Sequence, residues 1–281
     1  MKDLKILDIF VHLTRQTTVS NHETDLIVFL QSMLPLSYLD TYGNLHCEIG
    51  QSQVMFVSHL DNHCESVKSV THIISDDFIQ TDGKTILGAD NKAGVALMLH
   101  MIFEKVEGHY VFFKAEELGC LGSIAYKNES FKKLVNYSYC IAFDRAGTND
   151  LVYCQNDINT ASKDFAKNLC NTLYKISDRK IELLPSDRGG ITDSNTFKYL
   201  IPECVNISVG YFAQHTVFEK QNITYLKNLS DSVVKVDWQN LQTFRTIPNL
   251  RQILKEEHLN ATLRRETEIS EIEKELGFSL Y

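Results

Sequence analysis

Four short apolar runs recur along the chain, each leading to a carboxylate or an imidazole: Gln53 to Ser58 before His59, His109 to Ala115 before Glu116, Tyr139 to Phe143 before Asp144, and Cys204 to Val209 upstream of His215. Their length and their β-branched and aromatic content predict buried strands. Other stretches follow helical spacing. Leu4, Leu7, Phe10, Val11 and Thr14 share one helix face, and Leu26, Phe29, Leu30 and Met33 share another after Ser20-Asn21-His22-Glu23, which has the form of a capping box. Pro35 closes that helix, and Tyr42-Gly43-Asn44 turns between short strands near Leu36 to Asp40 and Leu45 to Ile49. A small hairpin is predicted near Val70 to Ile74 and Phe78 to Thr81. Asp90 opens a strongly apolar helix, and further helices are expected at Thr160 to Ile176, Ser194 to Tyr199 and Trp238 to Glu257, with a charged helical stretch from Asn260 to Leu276. Strands alternating with helices predict an α/β fold whose mostly parallel central sheet is flanked by helices on both faces.

Composition narrows this picture. The 281 residues are 43% hydrophobic and 23% charged, with four prolines and no Pro/Gly/Ser-rich linker or internal repeat in the first 250 residues. A single domain over 1–281 is expected, its charged helical C-terminal segment starting at about residue 238. A net charge of -8 argues against nucleic acid as a partner, because polyanion binding needs a basic face. No segment reaches transmembrane length, and Met1 to Asp8 carries acidic residues where a signal peptide needs an unbroken apolar stretch. Seven scattered cysteines fit reduced thiols rather than a disulfide framework, so the expected location is the cytoplasm, with no membrane partner.

The polar residues at the ends of the runs carry the chemistry. In open α/β sheets ligands gather at the carboxyl ends of strands, where the chain leaves the sheet and presents side chains to a crevice. His59-Leu60-Asp61 offers an imidazole and a carboxylate that can orient it through its other ring nitrogen. Asp90, among small residues in Gly88-Ala89-Asp90-Asn91-Lys92-Ala93-Gly94, sits where a helix N-terminus stabilises negative charge; it reads equally as an ordinary N-cap. Glu116 and Glu117 are adjacent at a strand end and point in different directions, so one can bind metal while the other acts as base; a solvated turn is the plain alternative. Asp144 could instead pair with Arg145, and His215 could be a loop histidine.

Taken together and in order, these segments resemble the co-catalytic di-zinc exopeptidases, the superfamily of aminopeptidases, peptidase T and aminoacylases, across roughly residues 15 to 225. The resemblance rests on Ser58 to Asp61, Thr81 to Gly94, Ala115 to Gly119, Phe143-Asp144, and Ser208 to Thr216. It implies two divalent ions, zinc in the first place, with cobalt or manganese also admitted by such ligands. Asp90 would bridge them, His59 and Asp144 would hold one, Glu117 and His215 the other, Glu116 would be the general base, and Asp61 would support His59. The Asp90-Asn91 peptide would be cis. Many relatives carry an inserted dimerisation domain; here both intervals that could hold it are short, although oligomers are common in the superfamily. The expected reaction is amide hydrolysis on a peptide or N-acyl small molecule. An aminopeptidase on short peptides is the first reading, an N-acyl amino acid deacylase the second, and a non-catalytic binding protein on the same fold the third. Arg188, in Arg188-Gly189-Gly190, resembles part of a loop near the active site and could pair with a substrate carboxylate.

Overall fold

Phe112 and Phe113 are neighbours in the chain yet enter different cores, because successive side chains of a strand point to opposite faces of a sheet. The computed structural model that shows this describes residues 5–247. Its strands are β1 (Tyr38–Leu39), β2 (Leu45–Ile49), β3 (Val54–His59), β4 (His72–Ile74), β5 (Phe78–Thr81), β6 (Gly108–Phe113), β7 (Tyr139–Arg145), β8 (Asp150–Val152), β9 (Cys154–Gln155), β10 (Ile158–Asn159), β11 (Leu184–Ser186), β12 (Glu203–Ser208), β13 (Tyr211–Phe212) and β14 (Lys220–Asn222). The helices are α1 (Ile6–Leu13), α2 (Thr24–Met33), α3 (Ala89–Phe103), α4 (Leu121–Glu129), α5 (Phe131–Leu134), α6 (Lys163–Ile176) and α7 (Ile223–Val233). The described residues up to Arg245 form one compact unit.

The central sheet has eight strands in the order β1-β2-β6-β3-β7-β12-β8-β11. Its middle, β6-β3-β7-β12, is parallel, as is the β8–β11 pair; β1–β2, β2–β6 and β12–β8 are antiparallel. The sheet is thus mostly parallel and mixed at its margins. Phe112, Phe56 and Phe143 face α3, which lies across β3 and β7 with α1 and α7 packed on it. On the other face Phe113 stacks on Phe197 at 5.9 Å and meets Tyr126 of α4 at 6.1 Å. Helix α3 sits against the strands almost at backbone distance: a Cβ on Gly94 would lie 2.1 Å from the Phe143 carbonyl oxygen and 2.5 Å from Ser58 Oγ. The short interval after Asp61 forms the β4–β5 hairpin, which joins β13 and β14 in a separate four-stranded sheet; no dimerisation domain is inserted.

Several expectations need correcting. Ser20 and Glu23 do not form a capping box. Ser20 Oγ donates to Asp61 at 2.7 Å, and buried Glu23 accepts from Asn21 N and Ala115 N at 2.8 and 3.1 Å, so both residues brace loops near the strand ends. Residues 194–199 contribute only a 3-10 turn, Asp193–Phe197, and α4, α5 and α7 were not expected at all. The helix expected from Trp238 is a single 3-10 turn, Trp238–Asn240, followed by irregular chain to 247. Buried Glu203 explains the change, accepting from Phe244 N and Arg245 N at 2.8 Å each and so taking N–H groups that a helix would use internally. The remainder of that expected helix and the stretch Asn260 to Leu276 lie outside the described residues.

Candidate metal centre

Parallel pairing sets β3, β6 and β7 side by side, so their carboxyl ends deliver His59, the Glu116-Glu117 turn and Asp144 to one place. Asp90 joins them from the start of α3, reached through Gly88, whose φ of +74° is left-handed backbone that glycine adopts without cost. His215 arrives from the loop after β13. The central feature is Asp90. Its Oδ1 lies 3.1 Å from His59 Nε2 and its Oδ2 lies 3.2 Å from His215 Nε2, so one carboxylate is divided between two imidazoles. Asp144 Oδ1 is 3.4 Å from His59 Nε2, and Glu117 Oε1 is 2.9 Å from His215 Nε2. The Asp90-Asn91 peptide is cis.

Buried side chains hold these groups in place. His59 Nδ1 hydrogen-bonds the backbone carbonyl of Asp61 at 3.0 Å, with Asp61 Oδ1 behind it at 3.4 Å, while the Asp61 carboxylate accepts the backbone N–H groups of Glu116 and Glu117 at 3.1 and 3.2 Å. Asp61 therefore orients the imidazole through its carbonyl and ties β3 to the Glu turn through its carboxylate. Asn206 donates to Asp144 O and accepts from Asp144 N, both at 2.9 Å; Thr192 donates to Asp144 Oδ2, and Tyr211 to Asp144 Oδ1 at 3.3 Å. Asn62 donates to Asp90 O at 2.6 Å and accepts from Lys92 Nζ at 3.0 Å. Glu219, 1% exposed, accepts from Gly88 N at 2.8 Å and Asp90 N at 2.9 Å, clamping the turn that carries Asp90.

Buried carboxyl groups outnumber the imidazoles here. Burial, reinforced by Asp144, Asp193 and Glu117 against the attraction of His59, pushes the Glu116 carboxyl up to about 9. Burial likewise raises Asp193 to about 7, and neither of its oxygens has a hydrogen-bond partner. Asp144 is raised as well, first by burial. His59, despite burial, is held well above the usual imidazole value by Asp144, Asp61 and Asp90, and the hydrogen bonds that His215 donates to Asp90 and Glu117 lift it to about 10. Two imidazolium groups cannot neutralise this many buried carboxylates, and divalent ions would. The donors fit: His59, Asp90 and Asp144 place one ligand atom each within 4.8 Å of one another, as do His59, Glu116 and Glu117, and as do His63, Glu117 and His215.

Every residue expected to hold metal or act as base, namely His59, Asp90, Glu116, Glu117, Asp144 and His215, lines one cleft, and Asp61 lies directly behind it. Arg188 does not join them. Its guanidinium is 94% exposed, with only Asp187 at 4.0 Å, because the chain turns outward before Gly189 and Gly190 reach the cleft wall. The arginine that lines the cleft is Arg145, bound to Asp150 at 2.7 Å rather than to Asp144. Asn62, Thr192, Asn206, Tyr211 and Glu219 were not anticipated. The Glu four residues after His215 was a visible signal, since both must belong to one loop.

Fold and site together define an α/β protein with a cleft at the carboxyl ends of its parallel strands, lined by groups that could hold metal. Residues 41–247 match the pattern of Peptidase family M28, and the chain belongs to that family of metal-dependent peptidases. Among curated proteins it is 26% identical over 170 residues to the uncharacterized protein YqjE of Bacillus subtilis, the match covering 52% of this chain and 44% of YqjE, less than half of its length. In fold it is similar to the aminopeptidase PepT of Bacillus cereus, at a TM-score of 0.66 and 17% identity over 82% of this chain and 96% of that one. A tripeptidase from Staphylococcus aureus superposes with the same TM-score, 0.66, at 16% identity over 82% and 96% of the two chains. TET1 of Pyrococcus horikoshii, a peptidase that assembles into a tetrahedron or a large octahedral shell, gives a TM-score of 0.59 at 15% identity over 82% and 98%.

Proposed function

We propose that this chain is a two-metal exopeptidase, an aminopeptidase acting on short peptides. The observation that carries the reading is the division of Asp90 between His59 and His215, which creates two adjacent cation positions sharing one carboxylate. His59, Asp90 and Asp144 would hold one ion, and Asp90, Glu117 and His215 the other. When bound, such a pair polarises an amide carbonyl and lowers the pKa of water, with zinc, cobalt or manganese all suited to mixed imidazole and carboxylate donors. Glu116 then takes a proton from the attacking water and returns it to the leaving amine. The Asp61 carbonyl, accepting from His59 Nδ1 at 3.0 Å, keeps the ring in the tautomer that presents Nε2, and the Asp61 carboxylate fixes the backbone of Glu116 and Glu117. Thr192, Tyr211 and Asn206 hold Asp144. The cleft volume of about 170 Å³ is below the range of about 300–1,000 Å³ usual for drug-sized ligands, which favours small substrates.

A second reading, an N-acyl amino acid deacylase with the same chemistry, is favoured by Arg145, a cation on the cleft wall able to anchor a free carboxylate. Elemental analysis beside hydrolysis of aminoacyl-anilides, dipeptides and N-acyl amino acids, before and after chelation, tests both. Two metals with chelator-sensitive cleavage of amine-terminal substrates support the aminopeptidase; cleavage confined to N-acyl amino acids supports the deacylase. Two metals without any cleavage would point to a binding protein, and no metal after zinc addition defeats all three. All seven cysteines are unpaired and no described helix is long and apolar enough to cross a membrane; we place the protein in the cytoplasm on the first of these.

A further inference from the structure

His63 was not among the residues expected at the site, yet the fold brings it there. It follows Asp61 by two positions in the irregular chain after β3, and its Nδ1 lies 3.7 Å from Glu117 Oε2. Its ring stacks on His215, with centroids 4.6 Å apart and planes 23° from parallel. Glu117 thus stands between two imidazoles, with Oε1 toward His215 and Oε2 toward His63. Ligand atoms of His63, Glu117 and His215 all lie within 4.8 Å of one another. Other roles explain this less well. An exposed histidine gains little from approaching a buried carboxylate, and stacking alone does not require a ring nitrogen to face Glu117.

We propose that His63 is a fourth protein ligand of the second cation position, alongside Asp90, Glu117 and His215. This rests on the two-metal reading above. The consequence is an asymmetric pair. The first position, His59 with Asp90 and Asp144, has one imidazole and two carboxylates and lies deep in the protein. The second has two imidazoles and two carboxylates and lies nearer solvent, His63 and His215 being 62% and 41% exposed. Four protein donors satisfy tetrahedral zinc, whereas three leave a place for water or substrate. Open coordination therefore belongs to the first position, and the second is the more closed and the more nitrogen-rich. Imidazole donors favour zinc over manganese, so the second position is also the more zinc-selective.

The test is titration of the metal-free full chain with zinc, cobalt and manganese, following heat and, for cobalt, the visible absorption spectrum. Wild type, His63→Ala and His63→Phe are compared; His63 is exposed, so neither change threatens folding, and phenylalanine keeps an aromatic ring over His215 without a ligand atom. The expected result is two ions in wild type, with binding of one ion weakened at least tenfold in both variants, an altered cobalt spectrum for that ion alone, and reduced preference for zinc over manganese. Two ions bound equally well by wild type and His63→Ala would overturn the inference while leaving the two-metal reading intact. Full affinity in His63→Phe with loss in His63→Ala would overturn it too, since the ring and not the nitrogen would matter. Fewer than two ions in wild type would overturn both.

Discussion

Replacing Glu116 by glutamine separates the proposed base from the proposed ligands. The turn that carries the residue is held by its backbone: Glu116 N donates to Asp61 at 3.1 Å, and Glu116 O accepts from Gly119 N and Cys120 N at 2.8 Å each. The side chain's protein hydrogen bond is a weak one from Cys120 Sγ at 3.5 Å, which the glutamine carbonyl can still accept. With metal bound, folding stability should therefore change by less than about 1 kcal/mol, the scale of one ordinary hydrogen bond. The reaction loses a proton acceptor worth about 10²- to 10⁴-fold in rate, or about 2.7 to 5.4 kcal/mol in the barrier. Glu116→Gln should accordingly keep its melting temperature and metal content and lose at least about a hundredfold in kcat on the best substrate of the panel, with KM little changed. Glu116 also belongs to a group with His59 and Glu117 that could hold an ion, so metal content is the decisive control. Wild-type kcat in the variant would refute the assignment of the base, and loss of one ion would show that Glu116 is a ligand.

Four further outcomes follow from the geometry. Glu219→Gln places an amide N–H against one of two backbone N–H groups, at Gly88 or Asp90; metal titration should show roughly 10- to 100-fold weaker binding, and unchanged affinity would deny the clamp its role. Gly94→Ala drives a methyl to 2.1 Å from the Phe143 carbonyl oxygen, so chemical denaturation should report a loss of about 3 kcal/mol or more, whereas a stable variant would contradict the packing of α3. Arg145→Ala should raise KM for substrates with a carboxylate near the scissile bond while Arg188→Ala stays within twofold of wild type; the reverse pattern would restore Arg188 to the site. The last concerns pH. Glu116, Asp193 and Glu219 are raised by burial, to about 9, 7 and 7, so the metal-free fold binds more protons than the unfolded chain between the ordinary carboxylate range and those values, and its stability falls as pH rises through them. His59 and His215, raised as well, act in the same direction. Below pH ~6.5 the depressed His109, and above about 8 the depressed Lys92, act oppositely, so melting of chelated protein between these limits is the clean window. The melting temperature should drop there, and cations should suppress the drop; a flat chelated profile would refute the electrostatic account.

The sequence was most readable where chemistry and strand geometry coincide. His59, Glu116, Glu117 and Asp144 end apolar runs of strand length, and parallel pairing of β3, β6 and β7 brings such ends together whatever their separation along the chain. Supports were harder to read because a hydrogen bond can be supplied by any loop that passes nearby. Ser20 had every local mark of a helix cap, and only the approach of Asp61, 41 positions away, drew its hydroxyl elsewhere. Helix α7 was overlooked among serines and asparagines although Asn222 caps it, accepting from Tyr225 N at 2.8 Å, and Leu226, Leu229 and Val233 carry the helical period. Here the signal was present and the polar composition masked it.

The two arginines show where local reasoning stops. Arg188 beside Gly189-Gly190 looked suited to a substrate loop, but loop sequence carries no period from which a side chain's direction follows. Arg145 lies on β7 next to Asp144, and strict alternation would send one of the two away from any face the other occupies. Both line the cleft. The β7–β12 register explains how: Asn206 pairs with Ala142 and Ser208 with Arg145, so β7 has one residue more than β12 across this interval. A bulge re-aims side chains at the end of a strand, and Asp150 then fixes the guanidinium with contacts of 2.7 and 3.0 Å. Nothing within β7 encodes that extra residue; it depends on the partner strand, where Asn206 holds both backbone groups of Asp144. The placement of a cation beside the candidate ligands is therefore a property of strand pairing, and it becomes visible only once the sheet is assembled.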